Sequence, residues 1–225
     1  MAVESLIRMA PSILSADFAA LGDEIDRIRP QADWLHVDVM DGHFVPNLTI
    51  GPPVVRSIRR HTDAYLDCHL MMTDPGDYLK AFAEAGADSC SVHVEVGDTA
   101  ALIDDMRALG LHAGLAVNPE TPISECEPWL DRIDLLLVMS VHPGFGGQHF
   151  MEEAIPKVAR AASIARRDGL NLVIEVDGGI DTSTVGRVAA AGATMFVAGS
   201  AIFGHDDPVA AAAAIRRAAE QAVAA

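Results

Sequence analysis

Four ionisable residues lie among apolar neighbours, where a charge is costly unless another group compensates it. His36 and Asp38 occur two residues apart in WLHVDVM, His69 lies in YLDCHLM, and Asp177 follows NLVIEV. Two imidazoles and two carboxylates form a mixed nitrogen and oxygen ligand set that suits a divalent ion such as Zn2+, Fe2+, Mn2+ or Co2+. Each histidine alone is more typical of a hydrogen-bonded structural residue, but two inward-facing carboxylates require a positive partner. We therefore predict that the four residues bind one metal ion.

Short apolar runs alternate with amphipathic stretches along the chain, which is typical of repeated βα units around a parallel sheet. Eight runs are predicted to be strands: IRMAPSIL, WLHVDV, YLDCHLM, SCSVHV, HAGLAV, LLLVMSV, NLVIEV and MFVAGS. They predict an α/β fold, a (β/α)8 TIM barrel in which residues 1–225 form a single domain. A doubly wound open sheet is the alternative, but the sequence lacks the glycine-rich dinucleotide fingerprint common in that fold. In such a barrel the four residues lie towards the C-terminal ends of their strands, where ligands bind.

Capping residues and glycines mark several helix boundaries. Three aspartates are predicted to begin helices, and Pro75 follows the first of them: Asp74, Asp98 and Asp181. Three glycines are predicted to end helices: Gly86, Gly110 and Gly192. The alanine-rich tail predicts a final helix, because alanine is the best helix former.

Glycine clusters follow the last three predicted strands. They are Gly144, Gly146 and Gly147 in HPGFGGQ, Gly178 and Gly179 in DGG, and Gly199 beside Ser200. In this fold a phosphate site is often built from the loops after strands seven and eight, where backbone N–H groups meet the anion. Tight turns also require glycine, so each cluster alone is weak evidence. Three clusters in consecutive loops predict a phosphate-binding site.

Three methionines occupy similar positions at the ends of predicted strands: Met40, Met71 and Met139. The ordinary role of methionine at such positions is flexible core packing. The alternative is a low-polarity cap over a charged reaction intermediate. The spacing alone favours packing over the cap.

The composition excludes several classes of partner. The chain has 225 residues, a formal net charge of -16 and 50% hydrophobic residues. This acidity argues against binding to nucleic acid or to an anionic membrane. Cys68, Cys90 and Cys126 form no paired motif and are expected to be reduced thiols. Without a signal-peptide pattern or an apolar run near the ~20 residues of a membrane span, the chain is expected to be cytoplasmic.

Seven segments together resemble the ribulose-phosphate 3-epimerase family: APSILSADF, HVDVMDGHFVPN, HLM, VNPETPI, MSVHPGFGGQ, EVDGGI and VAGSAIFG. The resemblance extends from about Ala10 to Gly204. Cys68 and His142 differ from the residues common in the family, and neither matches a catalytic position. Members of the family interconvert D-ribulose 5-phosphate and D-xylulose 5-phosphate in the pentose phosphate pathway.

The resemblance implies roles for the matched residues. Asp38 and Asp177 would be the catalytic acid and base and would bind the metal together with His36 and His69. Zn2+ is the first candidate for this ion, before Fe2+, Mn2+ or Co2+. Ser12 and His69 would contact the sugar. The phosphate and its surroundings would be bound by Gly144, Phe145, Gly146, Gly147, Asp177, Gly178, Gly179, Gly199 and Ser200.

The resemblance also has implications for the methionine cap over the reaction intermediate and for the binding partners of the protein. The methionines at positions 40, 71 and 139 are features of the family's site, which gives the cap equal standing with core packing. The expected partners are a small phosphorylated ketose and further copies of the chain. Family members are commonly homo-oligomers and often hexamers.

The expected reaction is inversion at C3 next to a C2 ketone. It requires removal of the C3 proton on one face and delivery of a proton on the other, so one carboxyl group begins ionised and the other protonated. A 3-epimerase for another ketose phosphate, such as D-allulose 6-phosphate, would use the same residues. A metal-dependent sugar-phosphate hydrolase would not require two opposed carboxylates. A binding module without catalysis would not require all four polar residues.

Overall fold

Eight parallel strands form one sheet in the order β1-β8-β7-β6-β5-β4-β3-β2. The computed structural model describes residues 7–224. The strands are β1 (Arg8–Pro11), β2 (Trp34–Met40), β3 (Tyr65–Met71), β4 (Ser89–His93), β5 (His112–Val117), β6 (Leu135–Met139), β7 (Val173–Asp177) and β8 (Met195–Ala198). Six of the predicted runs contain their strands, while β2 and β7 each extend one residue beyond the predicted run, to Met40 and Asp177. The predicted α/β barrel is confirmed.

Helices connect most of the strands and follow the last one. They are α1 (Leu21–Ile28), α2 (Pro52–His61), α3 (Gly76–Ala85), α4 (Thr99–Ala108), α5 (Ala154–Asp168), α6 (Val185–Ala191), α7 (Ser200–Phe203) and α8 (Pro208–Ala224). The final helix was predicted from the alanine-rich tail and is confirmed. No helix in the described part of the chain is long and apolar enough to cross a membrane.

The connection between β5 and β6 departs from the regular βα plan. Within it the chain forms two short 3-10 helices, Ile123–Glu125 and Glu127–Trp129, instead of an α-helix. Pro119, Pro122 and Pro128 explain the departure, because each lacks an N–H donor and disfavours helical geometry in the residue before it.

The barrel closes between β1 and β2 through few backbone contacts. β1 pairs with β8 over four residues, whereas on its other side Met9 accepts a backbone hydrogen bond from Asp33 at 2.9 Å, and Ser12, just after β1, forms an isolated parallel bridge with His36. This bridge brings the segment after β1 next to the middle of β2. The closure of the barrel therefore lies at two of the predicted site residues, Ser12 and His36.

Strict alternation along β2 and β3 separates an apolar face from a polar face. Alternate residues of the two strands, such as Leu35 and Leu66, belong to the main apolar cluster, which includes Val55 of α2 and Phe82 of α3. Successive side chains of a strand point to opposite faces, so the residues between them face the barrel interior. The buried polar side chains of β2, β3, β4 and β7 are His36, Asp38, Asp67, His69, Ser89, Ser91, His93 and Glu175. Burial of so many polar groups requires that they bind one another or a ligand.

The predicted helix starts agree with the structure in part. Asp98 caps α4 by accepting a hydrogen bond from the N–H of Ala101. Asp181 instead accepts from the N–H groups of Ser183 and Thr184, in a turn just before α6. Asp74 does not cap α3, which begins at Gly76 without a side-chain cap. An aspartate before a helix can thus stabilise a turn instead of the first helical residues.

The predicted helix ends agree more closely. Gly86 and Gly192 cap α3 and α6 in the left-handed conformation, as expected. Gly110 also has a positive φ, of +78°, but it follows Leu109, which is the capping residue of α4. All three cysteines of the sequence are free and buried, which agrees with reduced thiols.

Candidate active site and metal centre

The four residues predicted to bind a metal converge at one point in the barrel. His36, Asp38, His69 and Asp177 each offer one ligand atom, and these atoms lie within 4.8 Å of one another. Asp38 Oδ1 is 3.5 Å from His36 Nε2 and 3.4 Å from His69 Nδ1. Asp177 Oδ2 is 4.0 Å from the same His69 nitrogen. Parallel pairing produces this cluster, because Asp38 and His69 are register partners on β2 and β3.

Two buried nitrogen atoms in the cluster make no hydrogen bond. They are His36 Nε2 and His69 Nδ1, and both imidazoles are completely buried. A buried polar atom without a partner costs roughly 1–3 kcal/mol, so such atoms call for a ligand. Two imidazole nitrogens and two carboxylates fit a divalent ion of the Zn2+ or Fe2+ type.

A layer of hydrogen bonds supports His36 from below. His36 Nδ1 is 2.8 Å from Asp67 Oδ2, and the other oxygen of Asp67 accepts a hydrogen bond from Ser89 Oγ at 2.6 Å. When His36 is neutral, it donates from Nδ1 to Asp67 and keeps the Nε2 lone pair free, the arrangement common in histidines that bind metals. Glu175 Oε1 lies 3.6 Å from the same Nδ1 atom.

Asp67 and Glu175 were missed in the sequence, although a signal for them exists. Each precedes a predicted ligand by two residues, Asp67 before His69 and Glu175 before Asp177. A spacing of two puts both side chains on the same face of a strand. His36, Asp67 and Glu175 also form a second cluster of close ligand atoms. Because His36 Nδ1 already forms a hydrogen bond with Asp67, we interpret this second cluster as a set of side chains that orient His36, and not as a second metal site.

Opposite protonation states are favoured for the two predicted catalytic carboxyl groups. Burial alone would raise the pKa of Asp38, but the charges of His36 and His69, whose nitrogens lie 3.5 and 3.4 Å from Oδ1, lower it well below its usual range. Burial, followed by the charge of Asp38, raises the pKa of Asp177 to about 7. Below about pH 7, Asp38 is thus a carboxylate while most of Asp177 retains a proton. Environments that push two pKa values apart are typical of an acid and base pair.

The pKa values of the neighbouring ionisable groups are also shifted in opposite directions. Burial lowers the pKa of His69 to about 4. Burial would also lower the pKa of His36, but the charge of Asp38 and the hydrogen bond to Asp67 raise it well above its usual value. Burial and the charge of Asp67 raise the pKa of Glu175 to about 8, so its buried carboxyl group is largely neutral at pH 7.

A cavity of about 590 Å³ lies at the C-terminal ends of the strands, above this cluster. Ten of the predicted substrate-binding residues line it: Ser12, Gly144, Phe145, Gly146, Gly147, Asp177, Gly178, Gly179, Gly199 and Ser200. Asp38 also lines the cavity, and its Oδ2 accepts a hydrogen bond of 2.6 Å from Ser12 Oγ. His36 and His69 are completely buried and do not reach the wall. The predicted contact between His69 and the sugar is therefore not visible in this conformation.

Two glycines in the wall are required by close backbone approach. A Cβ atom on Gly179, whose φ is +61°, would lie 2.5 Å from the backbone nitrogen of Phe150. A Cβ atom on Gly178, whose φ is +117°, would lie 2.5 Å from the Val141 side chain. Larger residues would be strained in both places. The glycines thus let the chain after β7 pass under the loop after β6.

The loop after β6 covers one side of the cavity and is fastened by side chains. Asn47 Nδ2 donates to the carbonyl oxygen of Gly144 at 2.8 Å. Gln148 Nε2 donates to the carbonyl oxygens of His142 and Phe145 at 2.7 and 2.8 Å. Phe145 is 56% exposed, so its ring is not packed into the barrel.

The three methionines line the cavity and are almost completely buried: Met40, Met71 and Met139. Met40 and Met71 pack with Val45, while Met139 packs in a separate cluster with Leu137. These positions agree with core packing and also bring apolar surface to the cavity. Both interpretations of the methionines therefore remain.

Further polar residues of the wall were not predicted. They are Ser15, Gln148, His149, Asp181, Ser183, Thr184, Arg187 and His205. Their positions depend on loop conformation, which the strand pattern does not determine. Arg187 is the only arginine among the described residues that line the cavity, and it forms an ion pair with Glu152.

Comparisons with known proteins agree with this architecture. A model of the ribulose-phosphate 3-epimerase family matches residues 8–203. The chain is 49% identical to the cytoplasmic isoform of ribulose-phosphate 3-epimerase from Oryza sativa subsp. japonica, over 98% of this chain and 97% of that protein. It is 51% identical to ribulose-phosphate 3-epimerase from Mycobacterium tuberculosis, over 93% of this chain and 91% of that protein.

Among solved structures, KGPDC from Streptococcus mutans in complex with a phosphorylated sugar has a TM-score of 0.74. Its identity is 16%, and the match covers 96% of this chain and 98% of that one. At this identity the likeness shows the barrel fold alone. Family match and high identity across most of the chain carry the stronger conclusion: this isomerase-type enzyme belongs to the ribulose-phosphate 3-epimerase family.

Proposed function

We propose that the protein interconverts D-ribulose 5-phosphate and D-xylulose 5-phosphate by proton transfer at C3. The observation that carries this proposal is the pair of carboxyl groups of Asp38 and Asp177, which belong to one cluster and are favoured in opposite protonation states. They come from β2 and β7, which are separated in the sheet by β1 and β8. Such a pair can act on two faces of one carbon atom.

Asp38 is the base in the direction that starts from this protonation state. Its Oδ1 faces the nitrogens of His36 and His69, while its Oδ2 accepts from Ser12 at the cavity wall. The Oδ2 atom is therefore the one available to take the C3 proton. Asp177 then donates its proton to the opposite face of the planar enediolate. The return reaction uses the two groups in exchanged roles.

We infer that His36, Asp38, His69 and Asp177 hold one divalent ion, with Zn2+ as the first candidate. The two buried imidazole nitrogens without hydrogen bonds support this inference. A bound ion would supply positive charge that stabilises the enediolate. The protein contributes the fixed orientation of both imidazoles and the exclusion of water.

Substrate contacts are proposed for the residues around the cavity. Ser12 would contact the sugar, and His69 would do so only if the bound state differs from the present conformation. The glycine-containing loops after β6, β7 and β8 would hold the phosphate group through backbone N–H groups. Tethering the phosphate would position C3 between the two carboxyl groups, so binding energy would contribute to the rate.

Three further proposals concern the whole chain. We infer that residues 1–225 form a single domain, that the protein is a homo-oligomer with six copies, and that it acts in the cytoplasm. The family resemblance supports the oligomer, and the cytoplasmic isoform from rice supports the location. A chloroplastic relative from Arabidopsis thaliana shows that the location differs among relatives.

Exchange of the substrate C3 hydrogen with deuterated solvent tests the reaction. We expect exchange and epimerisation together, and both should decrease when metal is removed by a chelator and return when Zn2+, Fe2+, Mn2+ or Co2+ is added. Elemental analysis of protein purified without added metal identifies the resident ion. Release of phosphate without C3 exchange would instead indicate a hydrolase, and a strong preference for D-allulose 6-phosphate would change the proposed substrate.

Variants of the two carboxyl groups test their roles. Asp38→Asn and Asp177→Asn should each lower kcat by roughly 100- to 10,000-fold, because proton transfer by a positioned group contributes about that factor. Asp74→Asn is the matched control, since Asp74 is an exposed carboxylate in the loop after β3. Circular dichroism should show an unchanged fold in all three variants. A near-normal kcat in either site variant would remove that residue from the mechanism.

A further inference from the structure

A series of hydrogen bonds leads from His69, on the side opposite its free nitrogen, through the buried His93 to the more exposed Glu95. His69 Nε2 is 2.8 Å from His93 Nε2, and both imidazoles are completely buried. His93 Nδ1 is 3.2 Å from Glu95 Oε2. The other oxygen, Glu95 Oε1, accepts the backbone N–H of Asn118 at 2.9 Å. These hydrogen bonds thus connect a proposed metal ligand, His69, to the loop after β5.

The contact between the two imidazoles requires one proton. A neutral imidazole has one N–H donor and one acceptor nitrogen, so one Nε2 atom donates and the other accepts. If His69 donates, its proton lies on Nε2 and its Nδ1 lone pair is free for the metal. If His93 donates, the proton of neutral His69 must lie on Nδ1, which blocks the metal site. The direction of this hydrogen bond therefore decides whether His69 can bind a cation.

The state of Glu95 decides the direction. Burial alone would raise the pKa of Glu95, but hydrogen bonds from His93, Thr121 and the backbone of Asn118 lower it to about 2. A carboxylate only accepts hydrogen bonds, so neutral His93 must carry its single proton on Nδ1. His93 Nε2 is then the acceptor, and His69 is the donor. The ring of Phe44 packs against His93, with centroids 4.6 Å apart, and helps to fix its orientation.

We propose that Glu95 is a positioning residue, which acts through His93 to hold His69 in the tautomer whose Nδ1 can bind a metal ion. The inference rests on the metal site proposed above. It assigns to Glu95 and His93 the role for His69 that Asp67 has for His36. One metal histidine is thus oriented by a carboxylate directly, and the other through a second imidazole.

Substitution of Glu95 by glutamine should reverse the direction of the hydrogen bonds from this residue through His93 to His69. The N–H of Asn118 faces Oε1, so the glutamine carbonyl oxygen is expected to occupy that position. Its NH2 group would then face His93 Nδ1 and donate to it. His93 Nε2 would become the donor, and the proton of His69 would move to Nδ1. A nearly isosteric change at Glu95, which does not touch His69, should thus block a ligand atom of that histidine.

The tautomers can be measured directly in the metal-free protein. Long-range 1H–15N NMR of 15N-histidine-labelled protein distinguishes a proton on Nδ1 from one on Nε2. We expect the Nε2-H form of His69 and the Nδ1-H form of His93 in the unmodified protein. Both should invert in Glu95→Gln. Glu125→Gln is the matched control, because Glu125 is an exposed carboxylate in the connection between β5 and β6, and it should leave both tautomers unchanged.

Metal affinity provides the second readout. Glu95→Gln should weaken binding of Zn2+ and of Co2+ by about ten- to a hundredfold, the usual effect of altering a group that orients a metal ligand. Glu125→Gln should bind both ions as tightly as the unmodified protein. Equal affinities in the two variants would overturn the proposal.

The tautomer measurement separates this inference from the proposed metal site. If the unmodified protein binds neither Zn2+ nor Co2+, the metal site is wrong, while the NMR result still decides the hydrogen-bond direction. If Glu95→Gln does not fold, the tautomers of the unmodified protein decide. A proton on Nδ1 of neutral His69 in the metal-free unmodified protein would overturn the proposal in every case.

Discussion

Protons and the proposed metal ion would compete for the same atoms in the cluster around Asp38. The pKa of Asp177 is raised to about 7 and that of His36 is raised well above its usual value, so both hold protons in the metal-free protein at slightly acid pH. A cation that binds Asp177 and His36 Nε2 must displace these protons. Metal affinity should therefore depend on pH.

Metal affinity should increase with pH. Below about pH 7 the Asp177 carboxyl group retains its proton, so each tenfold fall in proton concentration favours binding until that group is ionised. We expect Co2+ affinity to rise steadily between about pH 5.5 and about pH 7.5, with proton release detected by calorimetry in buffers of different ionisation enthalpy. Asp177→Asn should release about one proton fewer. Affinity that does not change with pH would contradict these protonation states.

At the scale of elements, α5 stabilises the irregular connection after β5. Lys157 of α5 is 8% exposed. Its Nζ donates to the carbonyl oxygens of Asn118, Pro119 and Thr121 at 2.7, 2.7 and 2.6 Å. A segment that lacks an α-helix leaves backbone carbonyls unpaired, and one ammonium group satisfies three of them.

Replacing Lys157 should therefore be costly. Lys157→Met keeps most of the side-chain volume but removes three hydrogen bonds from a charged donor, and should lower the free energy of unfolding by roughly 2–4 kcal/mol. Equilibrium denaturation in urea measures the change. Lys80→Met is the control, because Lys80 is exposed on α3 and its ion pair with Glu84 spans 3.8 Å. A change for Lys157→Met no larger than for this control would show that the carbonyls find water instead.

At the scale of the whole molecule, the net charge acts on the proposed assembly. Each chain carries a formal charge of -16, so copies that associate repel one another. Salt screens this repulsion over about 8 Å at physiological ionic strength. The size of the assembly should consequently depend on salt.

Light scattering tests the assembly. We expect a mass of about six times 23.8 kDa at roughly 0.15 M salt, and a smaller average mass at roughly 0.01 M salt, where screening is weak. The fold of the separated chains should persist, as judged by circular dichroism. The mass of a single chain at both salt concentrations would refute the proposed hexamer.

The sequence by itself determined the strands and the four polar residues that form the cluster at their ends. Eight apolar runs were sufficient for the barrel, because strands covered on both faces have a strong pattern. The spacing of His36 and Asp38 put both on one face, and the rule that ligands bind at strand ends brought His69 and Asp177 to the same cluster. Family motifs such as HVDVMDG and PGFGGQ identified the chemistry.

Only the tertiary structure decided how the atoms of the site face one another. The pairing of His69 with His93, and of His36 with Asp67, depends on the register between neighbouring strands, which no single strand pattern contains. The protonation states of Asp38 and Asp177 follow from burial and from charges on other strands. The missing helix after β5 had a local cause in three prolines, but its stabilisation by Lys157 required the folded chain. Local patterns fix which side of a strand a residue faces, whereas distances between strands exist only once the barrel has closed.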